Sequence, residues 1–343
     1  YSRQIAVYGK KSMQSLANAK IGVLGFNTCA LELCKNLILT GISELHIYSD
    51  INITNDDISS NYYVSEDDVG KKMLSIIKNK LSDLNPYVTV YIETNHIEIK
   101  NNPIFNNCDI IVLVNNDIDT ACMINNMCRE ISKPFIWINY YGLMGNVFCD
   151  FGNNFIVNNI NGEEELSSLL QTITSDGIFQ CVETEPCKLG VGDKIIVNDV
   201  KGLNINGKEF TIEKKIDMYN FTVKEQTYDW SKYINGGQIT EVKQSINLKF
   251  SNLQNNIKEP SIENQWLDNS LGELHKCFID LQKYISLTAK IPKYWNNELK
   301  CNSDYKFKHY FENTCDGQFL PICSVLGSYA AQEVIKAITH KCK

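Results

Sequence analysis

With 343 residues, 43% of them hydrophobic and 21% charged, the chain is long enough for two or three globular domains and apolar enough to give each a core. A formal net charge of -7 leaves no electrostatic footprint for nucleic acid, and no apolar run approaches the roughly 20 residues that span a bilayer. Thirteen irregularly spaced cysteines, several on apolar runs (Cys29, Cys34, Cys108, Cys323), and an N-terminal stretch without a signal-peptide pattern predict reduced thiols in a soluble protein of the cytoplasm or nucleus.

Residues 1–152 alternate strand and helix patterns. A short buried strand at 21–25 enters a turn, and a helix follows over 30–39 on the spacing of Ala30, Leu33, Cys34, Leu37 and Ile38, stopping before Gly41. A strand over 44–50 ends on Asp50, then come a helix over 72–84 and a strand over 88–92. Strands at 109–114 and 135–139 flank a helix near 120–131. Near-continuous apolar strands separated by helices predict a doubly wound, parallel α/β sheet covered on both faces.

From 153 to 243 the pattern changes to short β-rich runs at 178–182, 194–200, 210–214, 219–223 and 238–242. Turn signals at Asn206-Gly207 and Gly236-Gly237 separate some of them, and Asn-Gly suits a tight hairpin. The spacing predicts a small inserted antiparallel barrel or sandwich. Residues 244–318 read as a helical insert, with Leu271, Leu274, Phe278, Leu281 and Ile285 forming a seam, although 293–314 is polar and poorly patterned. Residues 319–343 return to the first domain with a helix over 324–338, where Gly327, Ser328, Ala330 and Ala331 permit close packing.

A phosphate site in such a sheet wants a glycine-rich turn after the first strand, so that backbone N–H groups at a helix N-terminus can reach the anion. Here the turn is Gly25-Phe26-Asn27-Thr28-Cys29-Ala30, and only Gly25 stands where a glycine is wanted. The Cβ atoms of residues 26–30 crowd a phosphate and restrict the turn to negative φ. Asp50 matches a ribose-binding acid. Gly25, Asn27, Ala30 and Asp50 therefore read as a degenerate nucleotide loop kept as a scaffold, with no cofactor expected in this chain. Asp150-Phe151-Gly152 has no kinase motif around it and reads as a strand end leading into the next domain. The histidines (His46, His96, His275, His309, His340) are scattered, and Cys122/Cys128 and Cys181/Cys187 have spacings uncommon for zinc, so no metal is expected. The cysteines read as core residues.

Several segments in order resemble the ubiquitin-activating enzymes. Tyr1-Ser2-Arg3-Gln4 with Tyr8-Gly9 looks like the start of the repeats in that family. Residues 35–41 (KNLILTG), 57–63 (DISSNYY), 66–71 (EDDVGK) and 84–88 (LNPYV) continue the likeness. Residues 141–152 (YGLMGNVFCDFG) are the most diagnostic run, and 327–337 (GSYAAQEVIKA) look like the helix that closes the first repeat.

The resemblance implies an inactive ThiF-type, Rossmann-like adenylation domain (1–152 and 319–343), interrupted by a β-barrel called the first catalytic cysteine half-domain (153–243) and by a helical bundle (244–318). The last is shorter than the family's four-helix bundle over 286–318. It further implies the non-catalytic N-terminal half of an activating enzyme, whose ATP and Mg2+ are bound by another half. Its partners would be ubiquitin, the active adenylation domain of the same enzyme and, through other domains, ubiquitin-conjugating enzymes, with no nucleic acid and no membrane. The arginine matching Arg3 reaches from the inactive domain to ATP on the adenylating domain, so Arg3 is the one catalytic residue expected here. Two rivals are a regulatory subunit for another ubiquitin-like protein, which generally lacks the barrel, and an independent nucleotide-dependent enzyme, which requires a working loop.

Overall fold

The computed structural model describes residues 2–95, 102–163, 165–184, 186–225, 227–260, 270–293, 299–304, 306 and 308–341. Among the residues singled out above, Tyr1, His96 and parts of 286–318 lie outside this set. The chain divides into two compact units: Lys10–Phe155 with Asn247–Thr339, and Tyr1–Gly9 with Ile156–Ile246 and His340–Lys343.

The larger unit carries strands β1 (Lys20–Leu24), β2 (Glu44–Tyr48), β3 (Thr89–Glu93), β4 (Ile110–Val114), β5 (Phe135–Tyr141) and β6 (Met144–Asp150) in one sheet of order β3-β2-β1-β4-β5-β6. After α1 (Ser2–Asn18), the helices in chain order are α2 (Thr28–Thr40), α3 (Asn55–Ser60), α4 (Met73–Ser82), α5 (Ile104–Asn107), α6 (Ile118–Glu130), α7 (Leu253–Lys258), α8 (Ser270–Thr288), α9 (Lys308–Thr314) and α10 (Leu320–Thr339). Strand β4 shows why the sheet is covered twice. Its alternate side chains point to opposite faces, so Ile110, Val112 and Val114 join a core with residues of α2, α4 and α10. Ile111 and Leu113 join a second core with residues of α5, α6 and α7. A strand buried on both faces has no polar alternation to show, as the apolar run predicted.

Local chemistry sets the helix limits. The Asn27 side chain caps α2 by accepting from Ala30 N at 2.9 Å, and Gly41 ends the helix at φ 88. Asp117 caps α6 through Thr120 N at 2.8 Å. Helix α10 starts four residues before the predicted 324, because Pro321 sits in its first turn, where its missing N–H costs nothing. The close packing expected of its small residues has a definite origin at Gly327. A Cβ there would lie 2.7 Å from Cys29 O, 2.8 Å from Glu32 Cβ and 2.9 Å from Leu33 N, so α10 lies directly against α2.

The expectation of a wholly parallel sheet is corrected at one edge. Strand β6 runs antiparallel to β5, from Tyr141 opposite Met144 to Phe135 opposite Asp150. Only Gly142 and Leu143 connect them, which is a hairpin and far too short for a crossover helix. Gly142 takes φ 61, and a Cβ on it would overlap Thr314 O.

The short strands β7 (Phe155–Val157) and β14 (Ile246–Leu248) each straddle the boundary between the units, and the other unit carries six strands: β8 (Ser167–Ile173), β9 (Ile178–Cys181), β10 (Lys194–Asn198), β11 (Lys208–Lys215), β12 (Asn220–Val223) and β13 (Gln238–Val242). Those six pair antiparallel in the order β10-β11-β12-β9-β8-β13 and close where β13 meets β10. Inward residues alternate along each strand: Ile195 and Val197, Phe210 and Ile212, Phe221 and Val223. Phe179 stacks on Phe221 at 5.4 Å and meets Trp230 edge-on at 5.4 Å, an arrangement aromatic quadrupoles favour. The tight hairpin expected at Asn206-Gly207 is not formed. Residues 199–207 make a longer connection, in which the Asn206 side chain bonds Val200 N at 2.8 Å and Val200 O at 2.9 Å. Strand β8 has the expected alternation of buried and exposed residues, but its serines and glutamine hid it.

Candidate functional site

In a sheet of this order the connections from β1 and β4 leave in opposite directions, so a crevice opens at the C-terminal ends of these two strands. Gly25 stands there at φ 86, its N–H donating to Tyr48 O at 2.9 Å. A Cβ at this position would meet Val114 O at 2.6 Å, so the approach of β4 by itself requires glycine here. Across from it, Asn115 takes φ 39. Its side chain bonds Tyr140 O at 2.8 Å and Tyr140 N at 2.7 Å, continuing the β4–β5 ladder past its end.

A phosphate at the start of α2 would need free N–H donors and open space. The protein's own groups take up the Ala30 donor and the space beside Thr28. Asn27 holds Ala30 N through its side chain and Leu31 N through its carbonyl, each at 2.9 Å. Phe26, Cys29 and Ala30 are buried, and the expectation that they fill the phosphate space is corrected: they point into the core beneath the turn. The outer side is closed by Thr28, whose hydroxyl lies 3.1 Å from the Ser60 hydroxyl and donates to Gln318 Oε1 at 3.2 Å. Ser60 donates to the same Gln318 oxygen at 2.6 Å, and Gln318 Nε2 reaches Asp57 Oδ1 at 3.4 Å. Asp57 is buried and in turn accepts from Thr54 N and Oγ1 at 2.8 and 2.7 Å. A carboxylate in that network opposes an incoming phosphate by simple Coulomb repulsion. The neighbouring Phe319 N donates to the Tyr140 hydroxyl, which pins Gln318 in place.

The structure thus brings Gly25, Asn27 and Ala30 into one turn and sets Asp50, exposed, just beyond β2, the strand next to β1. Arg3 is exposed on the first turn of α1, in the other compact unit, with no hydrogen bond or ion pair to another described residue. Helix α1 breaks at Gly9 (φ 77, ψ 159), and Lys341 Nζ donates to Tyr8 O at 2.6 Å beside the break. Thr28, Ser60, Asp57 and Gln318 were missed as a set, because Gln318 follows Thr28 by 290 positions.

Asp150 proves to be an anchor. Its side chain is fully buried, paired with Arg129 Nε at 2.6 Å and Nη2 at 2.9 Å, and receives Asn125 Nδ2 at 2.7 Å. Arg129 also bonds Phe250 O at 2.7 Å, and Asn125 accepts from Leu253 N at 2.8 Å, so one buried ion pair holds the chain where it re-enters the larger unit. Among the described residues no group of three or more His, Cys, Asp or Glu is placed to hold a metal ion, and no helix is long and apolar enough to cross a membrane. The described cysteines are free thiols. Burial pushes Cys108, Cys128 and Cys149 up to about 12 and Cys323 up to about 11. Cys187 and Cys277 shift the other way, because the thiols of Cys181 and Cys301 hydrogen-bond to them, and both are buried.

A doubly wound sheet with an antiparallel edge strand, its first strand entering α2 through the Gly25 turn, defines the class of fold. The chain belongs to the ThiF family, which it matches over residues 1–343. It is 30% identical to "Ubiquitin-activating enzyme E1 1" of Arabidopsis thaliana, over 99% of this chain and 34% of that one. It is 27% identical to "Ubiquitin-like modifier-activating enzyme 1" of Mus musculus, over 99% and 34% respectively. The chain therefore spans about a third of the length of the curated relatives it matches. Among solved structures, E. coli MccB crystallised with succinimide is similar at 16% identity and a TM-score of 0.44, covering 100% of this chain and 64% of that one.

Proposed function

We propose that this chain is the non-catalytic N-terminal half of a ubiquitin-activating enzyme, a scaffold for adenylation and thioester formation carried out elsewhere in that enzyme. The observation that supports the reading is the Thr28–Ser60–Gln318 hydrogen-bond network beside the N-terminus of α2, the end of the helix at which a phosphate site needs open space. On this reading the inactive adenylation domain comprises 1–152 and 319–343, the closed six-stranded sheet within 153–243 is the first catalytic cysteine half-domain, and 244–318 is the helical insert. The closed sheet speaks against a separate regulatory subunit for another ubiquitin-like protein, a class that generally lacks it. ATP and Mg2+ belong to the active adenylation domain, ubiquitin and conjugating enzymes are the partners, and the setting is the cytoplasm and nucleus.

Arg3 is the residue assigned to the chemistry. Adenylation brings the ubiquitin carboxylate onto the α-phosphate as pyrophosphate leaves, and a guanidinium supplied from the neighbouring domain offsets the phosphate charge through paired hydrogen bonds. Exposure, with no side-chain partner among the described residues, leaves Arg3 available for that role. In the full-length enzyme, Arg3→Ala is expected to slow ubiquitin adenylation by about tenfold or more, the loss of one charge-assisted contact, while ubiquitin binding is unchanged. Arg3→Lys should restore little, since an ammonium lacks the planar fork. An unchanged adenylation rate in Arg3→Ala would remove Arg3 from the mechanism.

A further inference from the structure

The core of the closed six-stranded sheet holds two cysteines in contact. Cys181 ends β9, Cys187 lies in the segment that follows, and both belong to the same apolar cluster as Phe179 and Phe221. Backbone bonds set their spacing. Cys181 N donates to Tyr219 O at 2.9 Å, and Cys187 N donates to the preceding carbonyl, Met218 O, at 3.0 Å. Anchored to successive residues in this way, the two thiols meet and hydrogen-bond to one another. A disulfide needs its sulfurs about 2 Å apart, so thiols already in such contact need only a small rearrangement to bond.

The surroundings favour a thiolate at Cys187. The Cys181 thiol hydrogen-bonds to its sulfur, and Lys215 of β11 stands beside it, with Nζ donating to Cys187 O at 2.7 Å and to Leu189 O at 3.1 Å. Burial and the charge of Asp193 act in the opposite sense, but the thiol hydrogen bond prevails, with help from the ammonium, and brings Cys187 down to about 7. A thiol beside a cation, with a second thiol in reach, is the setting in which oxidation becomes site-selective. The cover over the pair is thin. Cys187 is 3% exposed, but Glu183, Thr184 and Lys188 around it are exposed, Val182 and Pro186 are half-buried, and none of these five belongs to a helix or strand. The other contacting pair, Cys277 with Cys301, is less suited, because the charges of Glu312 and Asp280 oppose a thiolate at Cys277.

We infer that Cys187 and Cys181 form a reversible oxidation site, which a hydroperoxide converts to a disulfide. The Cys187 thiolate attacks one oxygen of the peroxide. An S–O bond forms, the O–O bond breaks, and the departing oxygen takes up the proton that the thiol released, leaving Cys187 as a sulfenic acid. The Cys181 sulfur then attacks the Cys187 sulfur. The S–S bond forms, the S–O bond breaks, and the hydroxyl leaves as water with the Cys181 proton. Both sulfurs are oxidised, the peroxide is reduced, and a dithiol reverses the change by exchange. The product closes a ring across residues 182–186 and fixes that segment to the end of β9. The site is distinct from the turn at Gly25 and does not depend on a role in ubiquitin activation.

The whole chain, fully reduced, is treated with hydrogen peroxide at neutral pH, its remaining thiols are alkylated, and the digest is read by mass spectrometry. A peptide joining Cys181 to Cys187 should form at least about tenfold faster than Cys108, Cys128 and Cys149 are oxidised, since burial keeps those thiols protonated, and dithiothreitol should remove it. Cys181→Ser takes away the second thiol, so Cys187 should stop at the sulfenic acid and be labelled by dimedone. In Cys187→Ser, Cys181 should stay unlabelled. The unsubstituted chain supplies the first readout even where a variant fails to fold. No joined peptide at peroxide levels that oxidise the other cysteines, a joined peptide that forms no faster than they react, or dimedone on Cys181 in place of Cys187 would each overturn the assignment.

Discussion

Gly25 was the one position in the turn where the sequence still met the requirement of a nucleotide site, and the structure gives it a packing role. Its φ of 86 and the carbonyl of Val114, 2.6 Å from any Cβ, make it a packing glycine at the β1–β4 contact. Gly25→Ala is expected to lower the stability of the chain by about 1–3 kcal/mol, the usual penalty for a side chain forced into left-handed backbone, read as a shift of the urea midpoint. An alanine variant as stable as the parent would mean the turn can relax and the approach of β4 is not tight. The same scale separates what was legible from what was not. Gly25 and Asp50 could be placed at strand ends from a few neighbouring residues. The group that closes the turn could not, since Gln318 and Thr28 are 290 positions apart and nothing near either announces the other. Asp150 is a similar case: it was read as a plain strand end, and its partners Asn125 and Arg129 make it the buried anchor of the returning chain.

Among the elements, α2 and α10 decide how the sheet is covered. The small residues of α10 were visible as a pattern, and the structure gives them a partner. Helix propensity alone says that replacing an interior glycine by alanine gains about 1 kcal/mol. At Gly327 the backbone atoms Cys29 O and Leu33 N lie within 2.9 Å of the added methyl and cannot move aside as a flexible side chain would. Overpacking of this kind costs about 1–3 kcal/mol, so Gly327→Ala is expected to destabilise on balance, with a lower thermal midpoint by calorimetry. A rise in that midpoint would show the helices can part at little cost. Elements with strong periodicity were legible to within two or three residues: β9, β10 and β13 start where the runs start, and α4 lies inside its predicted span. Those that were missed are short of pattern. Strand β8 alternates polar with apolar residues too modestly, α9 sits in a polar stretch, and α1 offers a mixed face broken at Gly9. The seam predicted along α8 is also uneven, with Leu281 buried and Leu271 40% exposed.

At the scale of the whole molecule, the ThiF family is established over 1–343, and the chain spans about a third of its curated relatives. The scaffold reading predicts that the isolated chain catalyses no ubiquitin-dependent ATP–pyrophosphate exchange, and that calorimetry detects no micromolar ATP site at Gly25. Robust exchange by the isolated chain would sink that reading. What the sequence determined by itself is the set of features written into short stretches. These are β4 and β5 apolar on both sides, a helix that stops at Gly41, and the change of period near residue 153. They follow from backbone geometry and from which faces meet water, and a window of ten or fifteen residues contains all of that. Tertiary structure alone decided that β6 turns back antiparallel and that Thr28, Ser60 and Gln318 meet beside the N-terminus of α2. Each depends on residues distant in the chain or on the shape of a two-residue connection, and side chains that meet only after folding leave no periodicity behind.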